Sequence, residues 1–201
     1  MKSRITQLVL MCGFVFCQVN TEAMRNNKDE NGIINSIGFD FGFEKSNQEL
    51  VEIAGQYRLD YISENGISSF FIVNYDNGYE KEKDQKNTIV NKGFSHFRLT
   101  KNLSNTLSLE IFSQYGFNDF LLMKERTLFG LGIRYNLIDQ KKHKGILGAG
   151  LMKEDEKYLL DLNEDKSLLR STNYFIWQVK FSENATLQNT AYYQFDLSRS
   201  S

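Results

Sequence analysis

The chain has 201 residues, 41% hydrophobic and 13% aromatic, with 24 Lys plus Arg against 25 Asp plus Glu and a formal net charge of -1. That length is one domain's worth, the apolar content excludes bulk disorder, and the balanced charge gives no basic excess for a nucleic-acid partner. No apolar run nears 20 residues, which excludes a mature helical membrane protein but not a membrane β-barrel, whose strands alternate; 14 Gly, 16 Phe, 10 Tyr and no Pro favour an all-β chain.

Residues 1–17 read as an export signal: Lys2 and Arg4 precede the mostly apolar stretch from Ile5 to Phe16, and polar residues follow from Gln18. Cys12 and Cys17 both fall inside it, so the mature chain has no thiol for a disulfide or a thiolate metal site. Bulky Phe16 ahead of Cys17 argues against lipidation of that cysteine. Residues 18–32 form a polar spacer, and 33–201 form a single β domain.

From there the chain alternates apolar and polar residues with period two, which predicts about nine strands. The first sets Ile37, Phe39, Phe41 and Phe43 against Ser36, Gly38, Asp40 and Gly42; the second sets Val51, Ile53, Tyr57, Leu59 and Tyr61 against Glu52, Gln56, Arg58 and Asp60. The third, about Ile67 to Tyr75, is less regular because Phe70 and Ile72 fall on its second face. The fourth, about Thr88 to Thr100, opposes Phe97 and Leu99 to His96 and Arg98. Strands five and six run from Leu107 to Phe117 and from Arg126 to Leu137. A glycine-rich seventh spans Gly145 to Glu154, the eighth Leu169 to Phe181 and the ninth Thr186 to Leu197.

Tight connections follow even strands (Ser63–Gly66, Lys101–Asn105, Ser182–Ala185), and the turn Asp139–Lys144 is slightly longer. Long charged connections are expected after strands three (Asn77–Asn87) and seven (Asp155–Ser167). That alternation fits an antiparallel up-and-down transmembrane barrel with short periplasmic turns and longer outer loops. Tyr57, Tyr61, Tyr75, Tyr115, Tyr135 and Trp177 are candidates for the aromatic girdles at the two membrane interfaces.

In such a barrel the polar rows face the lumen. The candidate lumen cluster is Glu52, Gln56, Arg58, His96, Arg98, Glu110, Gln114, Arg126 and Arg134, expected to plug the interior with ion pairs and amides. No catalytic residue, metal site or cofactor is assigned. Ser95 cannot pair with His96, because neighbouring strand residues point to opposite faces, and His143 sits in a Lys-rich turn. Gly130, Gly132, Gly148 and Gly150 alternate within strands with no helix after them, so they relieve crowding rather than cradle a phosphate.

From Asn91 to Glu154 the sequence resembles the salt-induced outer-membrane proteins, the YdiY-like group. The resemblance rests on His96-x-Arg98, Glu110-x-Phe112-x-Gln114, Asn118-x-Phe120 and Arg126-x-x-x-Gly130-x-Gly132-x-Arg134. It implies a signal peptide, a barrel in the outer membrane of a Gram-negative bacterium, surrounding outer-membrane lipid, dependence on barrel-assembly machinery, and no assigned activity. The departure is at the C-terminus: the family continues to a terminal aromatic strand, whereas this chain stops at Arg199, Ser200 and Ser201. The expectation is therefore a chain truncated from an even-stranded barrel of ten to twelve. Its expected role is structural, envelope-stress or narrow-channel, without enzymatic activity. Two alternatives stand beside it: a secreted or periplasmic barrel holding a small apolar ligand, with its apolar rows turned inward, and a barrel enzyme on envelope lipids that would depend on His96.

Overall fold

The computed structural model describes residues 21–22, 24–25, 31–46, 48–82, 85–160 and 165–198; the signal segment lies outside them. The strands are β1 (Gly32–Lys45), β2 (Glu49–Ile62), β3 (Ile67–Glu82), β4 (Gln85–Asn102), β5 (Leu107–Asn118), β6 (Met123–Asp139), β7 (His143–Tyr158), β8 (Lys166–Lys180) and β9 (Thr186–Asp196). They form one sheet whose order is the chain order, each strand antiparallel to the next. The expected all-β, up-and-down architecture is what the chain adopts. With nine strands, β1 and β9 run in the same direction, and among the described residues no ladder joins them.

Strand alternation puts the two kinds of side chain on opposite faces, and the sheet curls round its polar one. The outer face carries Phe39, 76% exposed, with Ile37, Phe41 and Phe43 beside it on β1 and Phe129, Leu131, Ile133 and Tyr135 on β6. The inner face buries Asp60, His96, Arg98, Thr100, Ser108, Glu110 and Glu154. A water-soluble barrel inverts that polarity.

The six candidate girdle residues fall in two belts, whereas the outward Tyr193 and Phe195 of β9 lie in register with Ile133 and Leu131, between them. Tyr135 lies opposite Leu107, and Tyr115 stands eight residues further along the same strand, which is about 27 Å of chain and about 21 Å along the axis at a typical 40° tilt. Tyr61 and Trp177 are near the turn end with Tyr135, and Tyr75 is near the hairpin end with Tyr115. The spacing is close to the roughly 25 Å apolar band of outer-membrane barrels.

The connections differ from expectation. Asn77–Asn87 and Asp155–Ser167 are not long loops: β3 runs to Glu82 and β4 starts at Gln85, while β7 runs to Tyr158 and β8 starts at Lys166. Glu80 pairs with Asn87 and Lys81 with Lys86 across the β3–β4 ribbon, beyond a register shift at Gly78/Tyr79. The Lys86 ammonium lies 3.8 Å from the centre of the Tyr79 ring. A two-stranded ribbon with water on both faces accepts charge at every position, so a charged run ends the alternation without ending the strand. His143 likewise opens β7 rather than sitting in the turn, which narrows to residues 140–142.

The lumen is not uniformly polar. Phe70 and Ile72, the irregularity of the third strand, are buried in it with Leu128, Met152, Tyr174 and Ile176. Inward rings need room, and glycines opposite supply it. A Cβ on Gly130 would lie 2.3 Å from the Phe112 ring, and one on Gly148 2.1 Å from the ring of Tyr174. The Tyr174 hydroxyl donates to Glu110 at 3.0 Å, so the ring cannot swing away without losing that bond. Gly148→Ala should therefore destabilise the fold by about 1–3 kcal/mol, the usual overpacking range. Urea unfolding in detergent measures it, and a variant equal to the parent would show that the ring moves freely.

Candidate lumen site

Among the described residues, three buried ion-pair clusters stand on the inner face. The largest is built from strand residues around a segment that precedes the sheet. Arg98 on β4, Glu110 on β5 and Arg134 on β6 project inward because each shares its strand's polar row. Glu22, from the stretch read as a polar spacer, sits among them and is almost fully buried. Its carboxylate is ion-paired with Arg98 and Arg134, and with Arg25 Nε at 2.8 Å. Arg98 also donates to Thr21 Oγ1 at 2.8 Å, and the Glu22 backbone N–H donates to the Tyr192 hydroxyl on β9 at 3.1 Å.

Arg25 extends the network to Glu110 and, at 3.2 Å, to Thr100 Oγ1. Arg134 donates to the Tyr174 hydroxyl at 3.2 Å. Burial alone would raise the Glu22 carboxyl pKa, but the guanidiniums of Arg25, Arg98 and Arg134 outweigh it and hold it down at about 2. The group stays ionised at neutral pH. Residues of β2, β4, β5, β6 and β9 are thereby tied to residues 21–22 and 24–25, because Arg58 on β2 also donates to the Met24 carbonyl at 2.5 Å.

The second cluster centres on Glu154 of β7, whose side chain is 0% exposed. Arg126 reaches it through Nε at 2.7 Å, and Arg170 on β8 pairs with its other oxygen at 2.6 Å. Arg126 also lies 3.1 Å from Glu156. The third is the fork of Arg58 on Asp60, at 2.6 and 2.5 Å, with the guanidinium 5.4 Å from the Phe70 ring centre.

His96 is 1% exposed. Its ring centre lies 5.4 Å from that of Phe70, 6.3 Å from Phe94 and 6.4 Å from Phe112. Neither ring nitrogen makes a well-aligned hydrogen bond, and Gln114, directly opposite on β5, is its polar neighbour. Enclosed by rings, His96 fills the lumen.

Of the nine sequence candidates, Arg98, Glu110 and Arg134 meet in one cluster and His96 and Gln114 lie against each other. Arg58 and Arg126 join separate ion pairs. Glu52 and Gln56 stay exposed along β2. Gln56 reaches over the inner face at Gly38, where a Cβ would fall 2.6 Å from its amide nitrogen. Glu52 lines an open cleft of about 410 Å³ with Asp40, Asp76, Gly78 and Lys92 near the hairpin end. The candidate list omits Glu22, Arg25, Glu154, Arg170 and Tyr174. The last three occupy inward rows and were legible there, but nothing in the sequence joins Glu22 or Arg25 to the sheet.

A curled antiparallel meander with an apolar outside and an ion-paired inside is a barrel-type fold. The chain belongs to the family of proteins of unknown function DUF481, whose model matches residues 36–201; this is the YdiY-like outer-membrane group that the central strands resemble. No curated protein and no solved structure matches the chain.

Proposed function

We propose that the protein is an outer-membrane β-barrel component with a structural or envelope-stress role, that its lumen is filled at rest rather than open, and that it has no enzymatic activity. One observation carries this reading. The rows that include Phe39, Phe41, Leu131 and Ile133 face outward, and the charged rows face inward. Exposed apolar area on this scale is stable against acyl chains and not against water. The two aromatic belts and the family membership support the same placement. Against catalysis, His96 is closed in by Phe70, Phe94 and Phe112 with no space for a substrate, and the adjacent Ser95 belongs to the outward row.

The reading is tested by fractionating cells that express the protein and comparing heated with unheated samples on a gel. The expected result is retention in the outer-membrane fraction through an alkaline carbonate wash, release by detergent, and faster migration of the unheated sample. A protein that washes out with carbonate and shows one mobility would overturn the membrane placement.

A further inference from the structure

The lumen cluster contains more cation than its strands can neutralise. Arg98 and Arg134 converge from β4 and β6, and the sheet sets Glu110 against them at 3.5 Å from Arg98. Arg98 faces that carboxylate directly and Arg134 through the Tyr174 hydroxyl, which accepts from Arg134 and donates to Glu110, so two strand guanidiniums meet one strand carboxylate. The second carboxylate comes from outside the sheet, and both of its oxygens are engaged: one by Arg98, the other by Arg134 and Arg25. Guanidiniums from two strands that grip the two oxygens of one carboxylate make a carboxylate receptor. Its present occupant is part of the chain itself.

That occupant is held by exchangeable contacts. Thr21, the Glu22 backbone N–H, the Glu22 carboxylate, the Met24 carbonyl and Arg25 are all tied by hydrogen bonds or ion pairs, and Met24 is only half-buried. A soluble ion and water can replace each of these. An apolar anchor would have to be dragged into water, and here that cost is small.

We infer that Arg98 and Arg134, with the Tyr174 hydroxyl beside them, form a carboxylate-binding site in the lumen. Glu22 occupies it as a tethered ligand, and small soluble carboxylates compete for it by displacing the segment that carries Thr21, Glu22 and Arg25. Displacement removes Glu22 and Arg25 together, so the strand groups Arg98, Arg134 and Glu110 keep the same single excess positive charge that the occupied cluster carries, and one carboxylate group of the incoming anion balances it. The Arg98 and Arg134 side chains are only 6% and 15% exposed, and buried guanidiniums left short of a partner are costly. A second anion therefore has a reason to enter.

Arg25 makes the exchange measurable, because trypsin can cut after it only once the segment leaves the lumen. The full chain, folded in detergent, is treated with trypsin in succinate and in sodium chloride of equal ionic strength. An intramolecular carboxylate competes at an effective concentration on the order of mM, so succinate at roughly 100 mM should compete and speed cleavage after Arg25 about tenfold over chloride. Glu22→Gln should be cut at the fast rate without succinate. Its thermal midpoint should rise saturably with succinate, and a further Arg134→Gln change should abolish that rise. Equal cleavage in succinate and chloride overturns the inference, whether or not Glu22→Gln folds. The assay reads the lumen in detergent, so its failure leaves the membrane placement standing, and failure of the fractionation test leaves this site standing.

Discussion

Glu154→Ala should cost about 3 kcal/mol of unfolding free energy, at the lower end of the 3–5 kcal/mol seen when one member of a buried ion pair is removed. The carboxylate is fully enclosed, and it is the group on which Arg126 and Arg170 converge. Deleting it leaves Arg126 with Glu156 at 3.1 Å and strips Arg170 of a partner at 2.6 Å. The two guanidiniums are 21% and 29% exposed, so water reaches them in part, which is why the low end of the range applies. The double variant Glu154→Leu/Arg170→Leu should recover most of the loss, since it removes both charges and leaves apolar groups of similar bulk in their place. Urea unfolding in detergent or liposomes gives the values. A Glu154→Ala variant within about 0.5 kcal/mol of the parent, the ordinary range for surface changes, would show that the cluster is hydrated and contributes nothing.

Much of this arrangement was legible in the alternation, and the exceptions have physical causes. β1 and β2 are clean, and so is β6 apart from the inward Leu128, because each other residue there meets either apolar or polar surroundings. β3 is not clean, because a lumen this narrow cannot be filled by ion pairs alone; Phe70 and Ile72 fill it. Period two then reads as a fault what is an inward apolar layer. The charged ends of β3 and β7 were obscured for the opposite reason. Beyond the two aromatic belts neither face of the ribbon carries an apolar row, so the alternation stops while the hydrogen-bonded ladder continues from Tyr79 to Glu82 and from Asp155 to Glu156.

Glu22 and Arg25 were beyond sequence reasoning altogether. Their partners lie 76, 85 and 112 residues away, and a stretch so short has no periodicity to place it. The signal that was available lay in the strands. The inward rows bring together Arg98 and Arg134 against Glu110, which marks where a further carboxylate fits without pointing to Glu22.

Leu131→Arg should cost roughly 2–4 kcal/mol, the range for a cation on the lipid face at the bilayer midplane. On β6 the belts lie at Tyr135 and at Thr127, the residue opposite Tyr115, and Leu131 is midway between them. Ile133→Arg, two residues nearer the turn-end belt, should cost about half as much, and Tyr135→Arg about 0–1 kcal/mol, because a long side chain near the interface reaches water. The gradient is the discriminating result. Leu131 is 53% exposed and Ile133 49%, so if that face met water instead of lipid, both arginines would be tolerated equally and within about 0.5 kcal/mol. Arg134→Leu supplies the inward comparison. Arg134 is the immediate neighbour of Ile133 on the opposite face, and its loss would leave Glu22 with Arg25 and Arg98 and remove the donor to Tyr174. It should destabilise by about 1–3 kcal/mol, the cost of taking one partner from a buried hydrogen-bonded group. Unfolding titrations of the four variants in liposomes, set against the parent, separate the cases: a depth-graded penalty on the odd row with a packing penalty at Arg134 is the pattern of a barrel in lipid, whereas a flat and silent odd row would refute it.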